Sequence, residues 1–236
     1  MADGVTVTAR VDRDDRALIQ LAGMAALAIG IAYVVITGLY VVLGGAVPEE
    51  VATRLDFMAA NTPVWWAIVA LSVVTDLLFL PVALGLYVAF RGLDRNAMLV
   101  GSGLLGLFVL LDLAVTWPNY AALLGLSADY ADATEATQRA AVTAAASVPA
   151  AVLDSGLFAV YAILVPALGI LVMSAAMFRA NAGRGVAVTG IATGILGTIA
   201  VVGGFVIDAI GALAILTSIL TTVWVVLVGV GFLRGH

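Results

Sequence analysis

The sequence predicts an all-α fold, a polytopic transmembrane helical bundle of six spans with both termini in the cytoplasm. Three observations carry that expectation. The 236 residues are 64% hydrophobic and only 11% charged, with a mean hydropathy of +1.18, whereas soluble domains carry roughly a quarter charged residues. The apolar residues are gathered into runs long enough to cross a hydrocarbon core of about 30 Å. Threaded alternately through a bilayer, those runs leave most arginines on one side, as short cytoplasmic loops require.

Leu18–Leu43 carries no charge and follows the mixed segment Arg10-Val11-Asp12-Arg13-Asp14-Asp15-Arg16. It is too long for a signal-peptide core and reads as a retained helix. Val64–Phe90 holds one charge, Asp76; Ala97–Trp117 holds Asp112; Ala150–Phe178 holds Asp154. Val186–Leu233 holds only Asp208 and would be about 72 Å long as one helix. It must therefore fold back between Gly203-Gly204 and Gly211, giving spans 186–206 and 209–233. With the N-terminus inside, Arg10, Arg13, Arg16, Arg91, Arg95, Arg179, Arg184 and Arg234 are cytoplasmic, and only Arg54 and Arg139 lie outside. An odd number of spans would strand Arg234 outside. Trp65-Trp66 and Trp117 then fall at the outer interface, where amphipathic rings belong. The outer loop 126–148, with its Ala-rich run Arg139–Ala146, predicts a short helix on the membrane or over the bundle. Residues 1–236 read as one membrane domain.

Counting excludes several chemistries. There is no cysteine, so there is no disulfide, thiolate nucleophile, iron–sulfur cluster or Cys-based zinc site. All ten basic residues are arginine, so no lysine forms a Schiff base. The single histidine, His236, ends the sequence given, which argues against a Ser-His-Asp triad, a His-ligated haem or a multi-His metal site. No cofactor is expected, and a non-enzymatic role is the leading reading. Membrane lipids are the expected partners; nucleic acid is not.

Small residues four apart mark close helix contacts: Ala22, Ala26 and Gly30 in the first span, Gly190 and Gly194 in the fifth. Gly101-Ser102-Gly103-Leu104-Leu105-Gly106 matches the dinucleotide fingerprint only in letters, because that motif works after a strand and at a helix start. The second and third spans, and the fourth and fifth, form a weak direct repeat, each pair carrying an Asp, a Pro near a Leu-Gly pair (Pro81, Pro166), an Arg loop and a later Asp. A parallel repeat of this kind occurs in some transporters.

The intramembrane carboxylates carry the functional argument. An Asp at the helix centre costs about 2.5–3.5 kcal/mol on insertion scales and marks a functional site by default. Asp76 lies ten residues beyond Trp66, about 15 Å inward, and Asp112 five before Trp117, about 7.5 Å below the outer interface. Asp154 and Asp208 fall near that interface, where they equally suit helix starts. No cation lies inside any span, so Asp76 and Asp112 must be protonated, well hydrogen-bonded or holding a cation. Ser72 and Thr75 are near Asp76, and Pro81 frees the Leu77 carbonyl. Thr116 at i+4 from Asp112 and Tyr161 at i+7 from Asp154 are polar groups on the same helix faces. Oxygen-rich surroundings suit a proton or hard cation. Trp117-Pro118-Asn119-Tyr120 reads first as a helix terminus and second as the lip of an outward-facing pocket. The ligand-binding set is therefore Asp76, Asp112, Asp154, Thr116, Tyr161, Asn119 and Tyr120.

The stretch Leu111–Tyr120, followed by Tyr130, Ala133-Thr134, Gln138–Ala141 and Tyr161–Pro166, resembles a family of small six-helix prokaryotic membrane proteins known as a domain of unknown function. The resemblance implies a six-helix membrane fold and supplies no catalytic residues. The expected role is a small proton- or cation-linked transporter or channel-like protein of the cell membrane, with an acidic pocket opening outward. The alternative is a non-catalytic protein that holds a lipid or apolar ligand, or a subunit of a larger membrane complex. An intramembrane aspartyl hydrolase is a third reading, since Asp76 and Asp112 could share a proton, but no protease motif surrounds them.

Overall fold

A computed structural model describes residues 13–44 and 47–234. Arg10, Asp12, His236 and the side chains of Arg13, Asp14 and Asp208 lie outside the described residues. Among the described residues every regular element is helical. In chain order these are α1 (Arg13–Val42), α2 (Val51–Ala60), α3 (Thr62–Phe90), α4 (Arg95–Leu111), α5 (Trp117–Asp132), α6 (Ala136–Leu153), α7 (Gly156–Ala159), α8 (Val165–Arg179), α9 (Arg184–Gly204) and α10 (Leu213–Arg234). Single π turns, Asp112–Thr116 and Val160–Leu164, join α4 to α5 and α7 to α8, and a 3₁₀ turn, Asp208–Ala212, precedes α10. Six helical stretches are long and apolar enough to cross a membrane: Asp15–Val42, Thr62–Phe90, Arg95–Asp132, Ala136–Arg179, Arg184–Gly204 and Leu213–Arg234.

The spans form a closed ring in chain order. Helix α1 packs on α3, α3 on α4, α4 on α8, α8 on α9, α9 on α10, and α10 returns to α1. Their shared core joins Ala22, Ala26 and Ile29 of α1 to Phe79 and Leu86 of α3, Phe108 of α4, Met173 of α8 and Trp224 of α10. Lipid supplies no hydrophobic drive for this association, so contact depends on close backbone approach. The expected small-residue stripes are such contacts. A Cβ on Gly85 would lie 2.3 Å from the Cβ of Ala22, and one on Gly190 would lie 2.0 Å from Ser174 Oγ. Gly101, from the false dinucleotide motif, faces Gly169: a Cβ there would lie 2.8 Å from the Gly169 carbonyl oxygen, while Gly103 and Gly106 face open space.

The third and fourth spans differ most from expectation. Pro118 does not end a helix, because the π turn absorbs it. Proline cannot donate to the carbonyl four residues back and its ring collides with that carbonyl. Widening the preceding turn removes the collision, and the Trp117 N–H then bonds the Asp112 carbonyl. Pro166 is accommodated in the same way, with the Val165 N–H bonding the Val160 carbonyl. Helix α5 therefore continues well past the expected end of its span into the expected 126–148 loop, and α6 takes up the rest of it and overruns it. These two helices and α2, which the sequence reading did not foresee, pack into a cap over the end of the ring opposite the start of α1 and the finish of α10. The cap has its own core, including Leu55, Met58, Trp65, Leu123, Leu124, Tyr130, Ala146 and Leu153.

Candidate functional site

The two π turns carry three of the ring's buried polar side chains. Asp112 and Thr116 are the first and last residues of one, and Tyr161 belongs to the other. The Thr116 hydroxyl donates to Asp112 Oδ1 at 2.5 Å and stands 3.1 Å from the Tyr161 hydroxyl. A π turn adds one residue to the helical repeat, so it re-aims the side chains on either side of it. Thr116 thus meets Asp112 at the expected i+4 spacing. Tyr161 joins Asp112 through Thr116 instead of lying with Asp154.

Asp76 is reached from the other direction. Trp117, the first residue of α5, donates its indole N–H to Asp76 Oδ2 at 2.5 Å. Trp117 is therefore inside the bundle and not at the outer interface, and Asp76 and Asp112 share a level instead of descending in steps. Asp76 is 3% exposed and Asp112 6%, which differs from the open acidic pocket the sequence suggests. Among the described residues neither forms an ion pair. Ser72 and Thr75 are also buried, but the Thr75 hydroxyl is spent on the Ser72 carbonyl at 2.7 Å.

The space between the carboxylates and the cap is filled by aromatic rings. Trp117 stacks on Tyr120 at 5.7 Å between centroids, Tyr120 on Trp65 at 5.8 Å, and Tyr40 and Phe57 meet Trp65 edge-on. Tyr120 is thus a member of this column. Asn119 donates to the Val115 carbonyl of its own helix at 2.7 Å, satisfying a backbone acceptor beside the π turn.

Asp154 belongs elsewhere. It ends α6 instead of starting the fourth span; α7 begins only after Ser155. Its Oδ2 accepts from Arg54 at 3.0 Å, and the same guanidinium donates to the carbonyls of Pro48 and Glu49. Arg54 is 6% exposed, whereas the Asp154 side chain is 55% exposed. Asp154 is therefore an ion-pair partner in the cap. The Asp208 side chain lies outside the described residues.

A cavity of about 440 Å³ opens beside the carboxylate level, within the roughly 300–1,000 Å³ range of small-molecule sites. Tyr33 and Tyr40 of α1, Phe79, Phe108, Pro166 of α8 and several residues of α10 line it. Phe79 is one turn from Asp76 and Phe108 one turn from Asp112, and the two rings meet edge to face at 5.8 Å. Tyr33 packs on Phe79 at 6.3 Å and lies within electrostatic reach of both carboxylates. No family model, curated protein or solved structure matches this chain. The site's chemistry is therefore read from its own groups.

Among the described residues no three Asp, Glu or His side chains gather as metal ligands. The donor facing Asp76 is an indole N–H, which can only donate and would repel a cation at that oxygen. What the arrangement offers is two buried carboxylates, each met by a neutral donor, with one linked through hydroxyls across two helices. The sequence reading missed Trp117 as a ligand of Asp76, Arg54 as the partner of Asp154, and Tyr33 as the link to the cavity. The Trp-Pro and Val-Pro pairs at Trp117-Pro118 and Val165-Pro166 were the available signal for matched helix distortions.

Proposed function

We propose that the protein is a small proton-linked transporter of a prokaryotic cell membrane in which Asp76 and Asp112 take up and release the coupling proton. One observation carries this reading: both carboxylates are buried inside the ring with no cation paired to them. A permanent uncompensated charge there is costly, whereas a carboxyl that exchanges a proton is neutral for part of each cycle. A hard cation fits less well, because such ions take six or more oxygen ligands and Asp76 faces an N–H. The orientation is part of the proposal. Arg16, Arg91, Arg95, Arg179, Arg184 and Arg234 all lie at the end where α1 begins and α10 finishes, with Arg91 paired to Asp15 and Arg179 to Asp94 at 3.1 Å. Arginine bias supports a cytoplasmic position for that end, with the cap outside.

The test is infrared difference spectroscopy of the protonated carboxyl band across pH, with proton uptake counted in parallel on protein in lipid. Asp76→Asn and Asp112→Asn are each expected to remove a carboxyl signal and to lower uptake by about one proton per molecule. Both variants should stay folded with an unchanged or higher Tm, since an amide of the same shape carries no buried charge. Wild-type proton uptake in both would overturn the proposal. The second reading, a non-catalytic holder of a lipid or apolar ligand, is favoured by the cavity and predicts a bound molecule with no proton exchange.

A further inference from the structure

The cavity has a shape and a chemistry that go beyond proton binding. Helices α1 and α10 are tight over their arginine-end halves: a Cβ on Gly30 would lie 2.4 Å from Val226 Cγ2, and one on Gly229 would lie 2.9 Å from the Gly23 carbonyl oxygen. Over the other half they part, and the cavity is lined from Tyr33 to Tyr40 on α1 and from Ile215 to Thr222 on α10. Thr37, Ile215, Ser218 and Ile219 on these facing segments are exposed. The opening therefore faces sideways, into what surrounds the ring, and for a membrane bundle that is lipid.

The polar groups on this wall are biased in one direction. Thr37 donates to the Tyr33 carbonyl, Thr217 to Leu213, Ser218 to Ala214, Thr221 to Thr217 and Thr222 to Ser218, all at 2.8–3.0 Å. A hydroxyl has one proton to give and two lone pairs. With every proton spent on its own helix, these five side chains present acceptors, and only the phenols of Tyr33 and Tyr40 can still donate. The remaining lining is apolar or aromatic, and the rings of Tyr33, Tyr40, Phe79 and Phe108 offer faces that attract a cation. Among the described residues no positive side chain lines the cavity, and Asp76 and Asp112 lie one turn beyond Phe79 and Phe108.

We infer that this cavity binds a lipophilic ammonium ion carrying N–H donors, which enters sideways from the lipid between α1 and α10. The choice of a cation rests on the proton reading of Asp76 and Asp112, because a positive charge arriving in the cavity favours the ionised form of the carboxylates one turn away and so favours release of their proton. A neutral or anionic amphiphile of the same chain would lack either the charge or the donors that the wall can use.

Three twelve-carbon compounds that differ only in head group separate these cases. Wild-type protein in lipid nanodiscs is labelled with a photoreactive alkylammonium, the labelled peptides are identified by mass spectrometry, and dodecylammonium, dodecanol and dodecanoate compete. Labelling is expected on the segments 33–40 and 215–222. Dodecylammonium should displace it at a concentration about tenfold below dodecanol, equivalent to about 1.4 kcal/mol, and dodecanoate should not displace it. Labelling spread over all lipid-facing helices, or equal displacement by dodecanoate, would overturn the inference. The proton count on Asp76→Asn and Asp112→Asn is independent of labelling. Selective labelling with proton counts unchanged in both variants removes the proton reading and keeps the cavity site, whereas unselective labelling with proton counts lowered removes the cavity site alone.

Discussion

The cap and the ring are held together by opposite means, and their aspartates differ accordingly. In the cap, Asp154 is half-exposed and meets Arg54, whose guanidinium also ties down the backbone at Pro48 and Glu49. Aromatic stacking and a compact apolar core complete that region. In the ring, the helices meet through glycine and alanine, and Asp76 and Asp112 are buried with only neutral donors. The same residue type is thus a strut where a cation compensates it and a buried carboxyl met by neutral donors where none does. What distinguishes them is burial together with counter-charge: Asp154 is half-exposed and paired with Arg54, whereas Asp112 is buried and met by a neutral hydroxyl.

The largest effect should come from one of the ring's close backbone contacts, Gly101 against Gly169. Gly101→Leu forces α4 away from the Gly169 carbonyl and should cost about 3 kcal/mol or more, read as loss of monodisperse protein in size-exclusion chromatography and a lowered Tm. Gly103→Leu, two residues away and facing open space, should change stability by no more than about 0.5 kcal/mol. Equal losses would mean that the ring is not organised by that contact. Next comes the cap. Arg54→Ala leaves backbone carbonyls and a carboxylate without their donor and should cost about 2 kcal/mol in a detergent-denaturation titration. Asp154→Asn removes only a solvent-screened partner and should cost less than about 1 kcal/mol. If the two variants were equal, the guanidinium's backbone contacts would contribute nothing and the cap would be held by the ion pair alone.

The smallest effect concerns Glu50, which caps the start of α2 by accepting from the Thr53 hydroxyl and backbone N–H. The Thr53 hydroxyl, then the Thr53 backbone N–H, hold its carboxyl below the ordinary glutamate range. A depressed carboxyl contributes stability above its unfolded value, about 4.3, and loses it as pH falls through the folded value. Glu50→Gln should therefore lower the Tm slightly at neutral pH, and the gap to wild type should close in acid. A gap that stays constant with pH would show that the cap works through shape and not charge.

The spans were legible because each is a run of apolar residues long enough to cross lipid, and composition alone reveals that. The four aspartates stood out for the same reason, as interruptions. What composition could not reveal was partnership over distance. Arg54 and Asp154 are 100 residues apart, and nothing local in either segment announces the pair. Pro118 was misread as a terminus because a proline's clash with the preceding turn has two outcomes, an ended helix or a widened one, and tertiary packing selects between them. The widened turn set the geometry that matters most: it carried α5 onward into the cap and swung Trp117 onto Asp76. Thr116 beside Asp112 was legible because i+4 neighbours meet on any helix of this pitch.

The ring's order has a consequence for how such a chain is made. Each membrane-crossing span packs on the next in sequence, so each new span emerging from the ribosome finds a partner already in place. The junction of α1 against α10 differs, because it joins the first and last spans, which no loop connects. It is also the junction that gapes to form the cavity. A permuted gene that joins the ends of α1 and α10 and opens the turn between α8 and α9 would keep every packing partner while covalently tying the seam at its arginine-rich end. The native order leaves the seam joined by packing alone, so the wall through which a molecule would slip from the bilayer is also the one free to yield without stretching a loop.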